Sequence, residues 1–448
     1  MKKTLLTALL TCILVSCAPT VTFTPQATVA QIPATETLSP LPTFTPPPFI
    51  AFPTLPDLPP VAATLTQTPL PAVLPKFPLD GYVMLFTKDG DLYFQDGENT
   101  PVKLTHVGEK APSPILSDDN KKVVFFREES GFSNIYSINA DGSQEQTLVR
   151  NRAPLPVSPN QNNSQAFVPE THLLLFNTYA CESQKEESLC ATGLSRLNTD
   201  TGEIKELVTP DKPDQHNLGG NFKVSPDGKM VSVVAIGHLD LFSIDGRVIR
   251  RNILPYTPST TYNLFPEQSW LPDSSGLIIG LPNTIYDSVA YGDVPAYTVW
   301  RYTIDNNIAV QIPLDPSPMF YEFHASPDGN WILYGGVAEY ESSLYIGNLV
   351  DGETRFFDNA VYPHFSWSPN SEKFLFANKL GALDKPPATI GIINPLGWID
   401  NTHFTYHELL VGIPDTDIQI LVAEIKGETI FTYDLGTSLP NLKVIKPK

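Results

Sequence analysis

Ser225-Pro226-Asp227-Gly228, followed by Lys229-Met230-Val231-Ser232-Val233-Val234-Ala235, is the stretch on which the fold turns. Proline sets φ for the first turn position, the Asp carboxylate can bond nearby amides, and Gly takes the left-handed position, so the four residues form a tight turn. The β-branched apolar run behind them is the pattern of a buried strand. The unit recurs as Ser326-Pro327-Asp328-Gly329 before Trp331-Ile332-Leu333-Tyr334, and as Ser368-Pro369-Asn370-Ser371 before Phe374-Leu375-Phe376. Looser copies are Leu271-Pro272-Asp273-Ser274, Ser117-Asp118-Asp119-Asn120 and Val168-Pro169-Glu170-Thr171; Pro78-Leu79-Asp80-Gly81 and Ile399-Asp400-Asn401 have the look of eroded first and last copies. A second strand pattern follows each run, for example Ser343-Leu344-Tyr345-Ile346-Gly347, and then an Asp-Gly hairpin signal such as Asp141-Gly142, Asp245-Gly246 or Asp351-Gly352.

The copies stand roughly 30–57 residues apart, the length of a four-stranded propeller blade. The unit resembles the Pro-Asp (WD40-like) repeats of TolB-type proteins and of the propeller domain of dipeptidyl peptidase IV. The resemblance implies an all-β propeller, here of seven or eight blades, over residues 76–448. The C-terminal Leu442-Lys443-Val444-Ile445 is placed to close the ring by pairing with the first blade. Such rings host many activities, so the repeat specifies fold rather than function. The dipeptidyl peptidase hydrolase domain, with its Gly-x-Ser-x-Gly elbow, has no counterpart; Gly193-Leu194-Ser195-Arg196-Leu197 lacks the second Gly.

Residues 1–16 have the form of an export signal: Lys2 and Lys3, then an apolar run from Leu5 to Val15 too short to span a bilayer. Leu14-Val15-Ser16-Cys17 resembles a bacterial lipobox. That resemblance implies diacylglycerol on Cys17 and cleavage before it, hence a membrane partner through the lipid. Residues 17–75 alternate Pro and Thr with apolar residues and hold no lasting helix or strand period, so a disordered, extended tether is expected. At about 3.1 Å per residue it reaches up to about 180 Å. The expected location is the extracytoplasmic side of the membrane, at the cell surface or in the periplasm.

The formal charge of −19 falls on the C-terminal domain, because Lys2, Lys3, Glu36 and Asp57 cancel before residue 76. Such a surface repels phosphate backbones, which argues against a nucleic-acid partner. Outside the cytoplasm, Cys181 and Cys190 are expected to pair as a disulfide across a polar loop. His403 and His407 share one face of a strand about 13 Å apart, too far to hold one ion, so no metal is expected. Neither cofactor nor catalytic set emerges.

The residues five positions before each turn proline, or its equivalent, are all polar: Ser113, Ser164, Asn221, Glu267, Glu322 and His364. Those two positions before it are apolar: Leu116, Phe167, Val224, Trp270, Ala325 and Trp367. The apolar set is expected between blades. The polar set, Asn221, Glu267, Glu322 and His364 above all, is expected to ring one channel mouth as a ligand site. The favoured function is a non-catalytic binding or scaffold module, monomeric, for a protein, peptide or glycan. The alternatives are a lyase- or hydrolase-like enzyme using those carboxylates, or a TolB-like envelope assembly factor.

Overall fold

The computed structural model of the chain describes residues 66–67, 74–105, 114–129, 132–150, 165–183, 188–209, 221–235, 237–257, 265–283, 297–315, 324–338, 341–359, 365–376, 378–390, 395–408, 419–427, 429–435 and 441–448. They form eight antiparallel meander sheets and no helix. Seven sheets have four strands, and the last has a fifth strand at its edge. The protein is an eight-bladed β-propeller. Blade 4 shows the pattern: inner strand Phe222–Val224, then Met230–Ala235, His238–Ser243 and outer strand Val248–Arg250.

The apolar runs are continuous because each second strand is buried on both faces. In blade 2, Val123 and Phe125 pack toward blade 1, while Val124 and Phe126 pack toward blade 3. The period of a strand sends alternate side chains to opposite neighbours. Eight apolar clusters result, one in each seam of the ring. The six apolar residues two before the anchors all join these clusters, as expected.

Blade 1 closes the ring. Its inner strand is Asn441–Pro447, paired antiparallel with Tyr82–Lys88. This answers the choice between seven and eight blades, since the C-terminal strand supplies the inner strand that the first repeat lacks. Pro78-Leu79-Asp80-Gly81 is therefore not a repeat turn. It leads into the second strand of blade 1, with Tyr82 N donating to Leu79 O, and no turn joins that strand to the inner one. At the other end, Thr66–Gln67 adds a parallel strand to the outer edge of blade 8, so ordered pairing reaches into the stretch assigned to the tether.

The turns between inner and second strands interlock. Ser225 Oγ donates to Asp227 Oδ1 (2.7 Å) and accepts from Met230 N (2.9 Å), closing the turn on itself. The Asp227 amide then donates to Ser274 Oγ in the next blade's turn (3.0 Å). The Asp328 amide does the same to Ser371, and Asn370 to Asn401 (both 2.9 Å). Where the preceding turn begins with Leu271, the next carries Gly329: a Cβ there would lie 2.8 Å from the Leu271 side chain. Gly329 also has φ +70°, which Gly alone adopts without cost. Closer to the axis, three indoles tie inner strands together. Trp270, Trp367 and Trp398 donate Nε1–H to the carbonyls of Lys223, His324 and Ser366 in the preceding blade (2.8–3.0 Å).

Candidate functional site: the channel mouth and the faces of the ring

A meander puts its connections on two faces. The turns from inner to second strand and from third to outer strand lie on one face. They are short, as in Ser225–Gly228 and Asp245-Gly246. Every connection from an outer strand to the next inner strand lies on the other face, with the second-to-third hairpins. The strand ends separated by the longest stretches of sequence lie at that face: Val149 and Gln165, Val208 and Phe222, and, within blade 5, Pro282 and Tyr297. Inner strands start there, so of the six polar positions five before the anchors, the two that are described, Asn221 and Glu267, sit at its channel mouth.

Asn221 precedes the inner strand of blade 4 and Glu267 begins that of blade 5; both are exposed. Their neighbours Phe222 and Gln268 are buried, which is the alternation the spacing implies. Gln268 and Trp270 hydrogen-bond back to blade 4, leaving Glu267 on the opposite side of its strand. Solvent reaches the Glu267 carboxylate, yet protein surrounds it. Burial pushes its pKa up, and the Lys223 ammonium, one strand away, pulls it down. Lys223 thus joins Asn221 and Glu267 at this mouth, a cation the five-before rule misses. Glu322 and His364 lie outside the described residues, as do Cys17 and the other two polar positions.

Two further polar clusters occupy the short-turn face. One bridges the closing seam between blades 8 and 1. The Asp400 carboxylate accepts from Tyr82 Oη (2.6 Å) and pairs with His403 Nδ1 (2.8 Å); His403 Nε2 lies 3.7 Å from Glu424, which accepts from Tyr433 Oη (2.5 Å). Burial opposes ionisation of Asp400, but the Tyr82 hydroxyl and the Thr402 and His403 groups outweigh it and hold the carboxyl far below the usual range. Burial and the facing Asp400 charge push the Tyr82 phenol well up. A tyrosine that does not ionise and a carboxylate that stays ionised make a structural latch. Sequence reading considered His403 only beside His407. Its partners were hidden because Glu424 is its cross-strand neighbour twenty-one positions away.

The second cluster lies on blades 2 and 3. His172 stands between Asp200 (2.8 Å) and Asp119 (3.2 Å), and the buried Lys122 reaches Asp200 (3.2 Å) and Asn139 (2.8 Å). Among the described residues, no group of three or more His, Cys, Asp or Glu is arranged to hold a metal ion.

Cys181 and Cys190 sit directly opposite in the register of the long blade 3 hairpin, Leu173–Ser183 with Ser188–Asn198.

No protein-family model matches the chain, and no curated protein sequence does either. Solved structures do. Oligogalacturonate lyase in complex with manganese is 15% identical, with 70% of this chain and 86% of that chain covered and a TM-score of 0.46. TolB from Acinetobacter baumannii is 12% identical over 83% of this chain and 67% of its own, with a TM-score of 0.36. A puromycin hydrolase is 13% identical over 77% of this chain and 57% of its own, with a TM-score of 0.44. The chain is similar to these in fold; the blade topology above establishes the propeller without them.

Proposed function

We propose that the protein is a lipid-anchored, extracytoplasmic binding module that presents the long-connection face of its ring to a protein, peptide or glycan. The observation that carries this is the asymmetry of the two faces among the described residues: tight interlocked turns on one, and on the other the strand ends between which the long stretches of sequence run. Connections on a rigid scaffold are where binding residues gather. The stretch 283–296, with Tyr286 and Tyr291, supplies amphipathic side chains suited to contact. Asn221, Glu267 and Lys223 place both signs of charge at the centre of that face. Cys17 provides the anchor, and residues 18–65 the reach.

The enzyme reading rests on Glu267 as one of a pair of channel carboxylates. One experiment separates the two. The acylated chain in detergent is offered a panel of envelope glycans and peptides, and both retention and products are followed by mass spectrometry. Retention of an unaltered ligand, lost on Glu267→Ala with Asn221→Ala, is the expected result. Turnover of any panel member would instead support a lyase- or hydrolase-like role, and retention unaffected by the double substitution would remove the channel mouth as the site.

A further inference from the structure

Blade 1 differs from the other seven blades in having no turn between its inner and second strands. The two come from opposite ends of the domain, with Lys448 N donating to Gly81 O where a turn would begin. In two other seams, the amide of the third turn residue donates to the left-handed residue of the next blade's turn: Asp227 to Ser274 and Asp328 to Ser371. Asn120 occupies that accepting slot in blade 2, in the same left-handed conformation (φ 61°). Its Oδ1 is buried and has no hydrogen-bond partner among the described residues. A buried acceptor without a donor costs about 1–3 kcal/mol unless something supplies one.

Where the turn would stand there is a cleft of about 780 Å³, lined by blades 1, 2 and 3. That lies within the roughly 300–1,000 Å³ of small-ligand sites. Val83, Phe94, Val102 and Ala140 form apolar lining. All but one of the charged groups on its walls pair with one another: Lys122 with Asp200, His172 with Asp119 and Asp200, Lys121 with Asp119, and Lys448 with Asp96 (2.6 Å). The exception, Asp141, already accepts from Ser143 N (2.9 Å) and Ser143 Oγ (2.6 Å). An anionic ligand would have to break one of these pairs. The uncharged wall groups include Asn120, Thr100 and Gln144, and Gln144 is also held left-handed (φ 57°).

We propose that this seam cleft binds an uncharged, hydroxyl-rich ligand, a neutral oligosaccharide. A rotation of the Asn120 side chain brings its Oδ1 to the cleft surface, where one hydroxyl donates to it; the side-chain amide of Gln144 and the hydroxyl of Thr100 take others, and the C–H face of a sugar ring lies on the apolar lining. The site is on the short-turn face, opposite the channel mouth considered above, and does not depend on it.

Titration calorimetry of the full chain with neutral trisaccharides of glucose, galactose and N-acetylglucosamine, with trigalacturonate as the charged comparator, tests it. At least one neutral probe is expected to bind. Asn120→Gly keeps a turn that Gly already makes at positions 228 and 329, so it is expected to leave Tm unchanged or raised while weakening that probe by about tenfold or more, the loss of one well-made hydrogen bond. Gln144→Gly, a second relief of a left-handed residue, is expected to act the same way. Asp89→Gly, which relieves a left-handed residue on the opposite face (φ 52°), should leave binding as it was. The proposal is overturned if no neutral probe binds at millimolar concentration, if Asn120→Gly binds as well as the parent, or if trigalacturonate binds more tightly than every neutral probe.

Discussion

Glu267 shows how much one residue owes to its place in the ring. On an isolated strand its carboxyl would titrate near the ordinary 4.5; surrounded by inner strands, it holds its proton to higher pH. The sign of the consequence follows. A carboxyl whose folded pKa is raised costs the folded state stability as pH rises from the unfolded value through the folded one, and costs nothing below the unfolded value. Glu267→Gln removes that cost. The variant is expected to melt above the parent at neutral pH, with the gain vanishing below about pH 4. An equal gain at pH 3.5 and pH 7 would show that ionisation is not the cause. Counting back from the turn proline located Asn221 and Glu267 because the period of a strand is strict. It could not assign Asn120, Ser274 or Ser371 a role. In the sequence they look like worn glycines, and the amides that donate to Ser274 and Ser371 lie a whole blade away.

At the scale of the element, hairpins were the most legible part of the chain. Asp141-Gly142, Asp245-Gly246 and Asp351-Gly352 each close a third-to-outer turn, and the apolar runs are second strands buried on both sides. Blade 1 carries no such local signal, since Pro78–Gly81 only imitates a repeat; its non-local inner strand was legible only as the C-terminal Leu442-Lys443-Val444-Ile445, which pairs with Tyr82–Lys88 as expected. The blade 3 hairpin carries an element-level expectation. Opposite residues of an antiparallel pair have Cα atoms about 4.5–5.5 Å apart, inside the range a disulfide spans. We propose that Cys181 and Cys190, opposite in register, are bonded in the exported protein. Peptide mapping by mass spectrometry without reductant should recover them as one linked species. Two free thiols in protein taken from the cell envelope would refute the bond.

The whole molecule depends on closure. Its first seven seams join blades that are neighbours in the chain. The eighth joins Phe77, Met84 and Phe86 to Ile420 and Val422, and is sealed by the latch from Tyr82 through Asp400 and His403 to Glu424. Closing so long a loop is entropically costly, and the paired terminal strand is what offsets it. Both the facial asymmetry behind the binding role and the seam cleft exist only if that strand is in place. Met84 and Ile445 are opposite residues in this pairing and share one apolar cluster. The direct measurement is therefore on the double variant Met84→Cys with Ile445→Cys: disulfide yield on mild oxidation of the folded protein, and Tm before and after. Closure in this register is expected to give rapid, near-complete cross-linking and a raised Tm, because the bond removes the freedom of a very long loop from the unfolded chain. Thiols that stay free in the folded protein, or a cross-link that leaves Tm unmoved, would contradict a ring closed by its C-terminal strand.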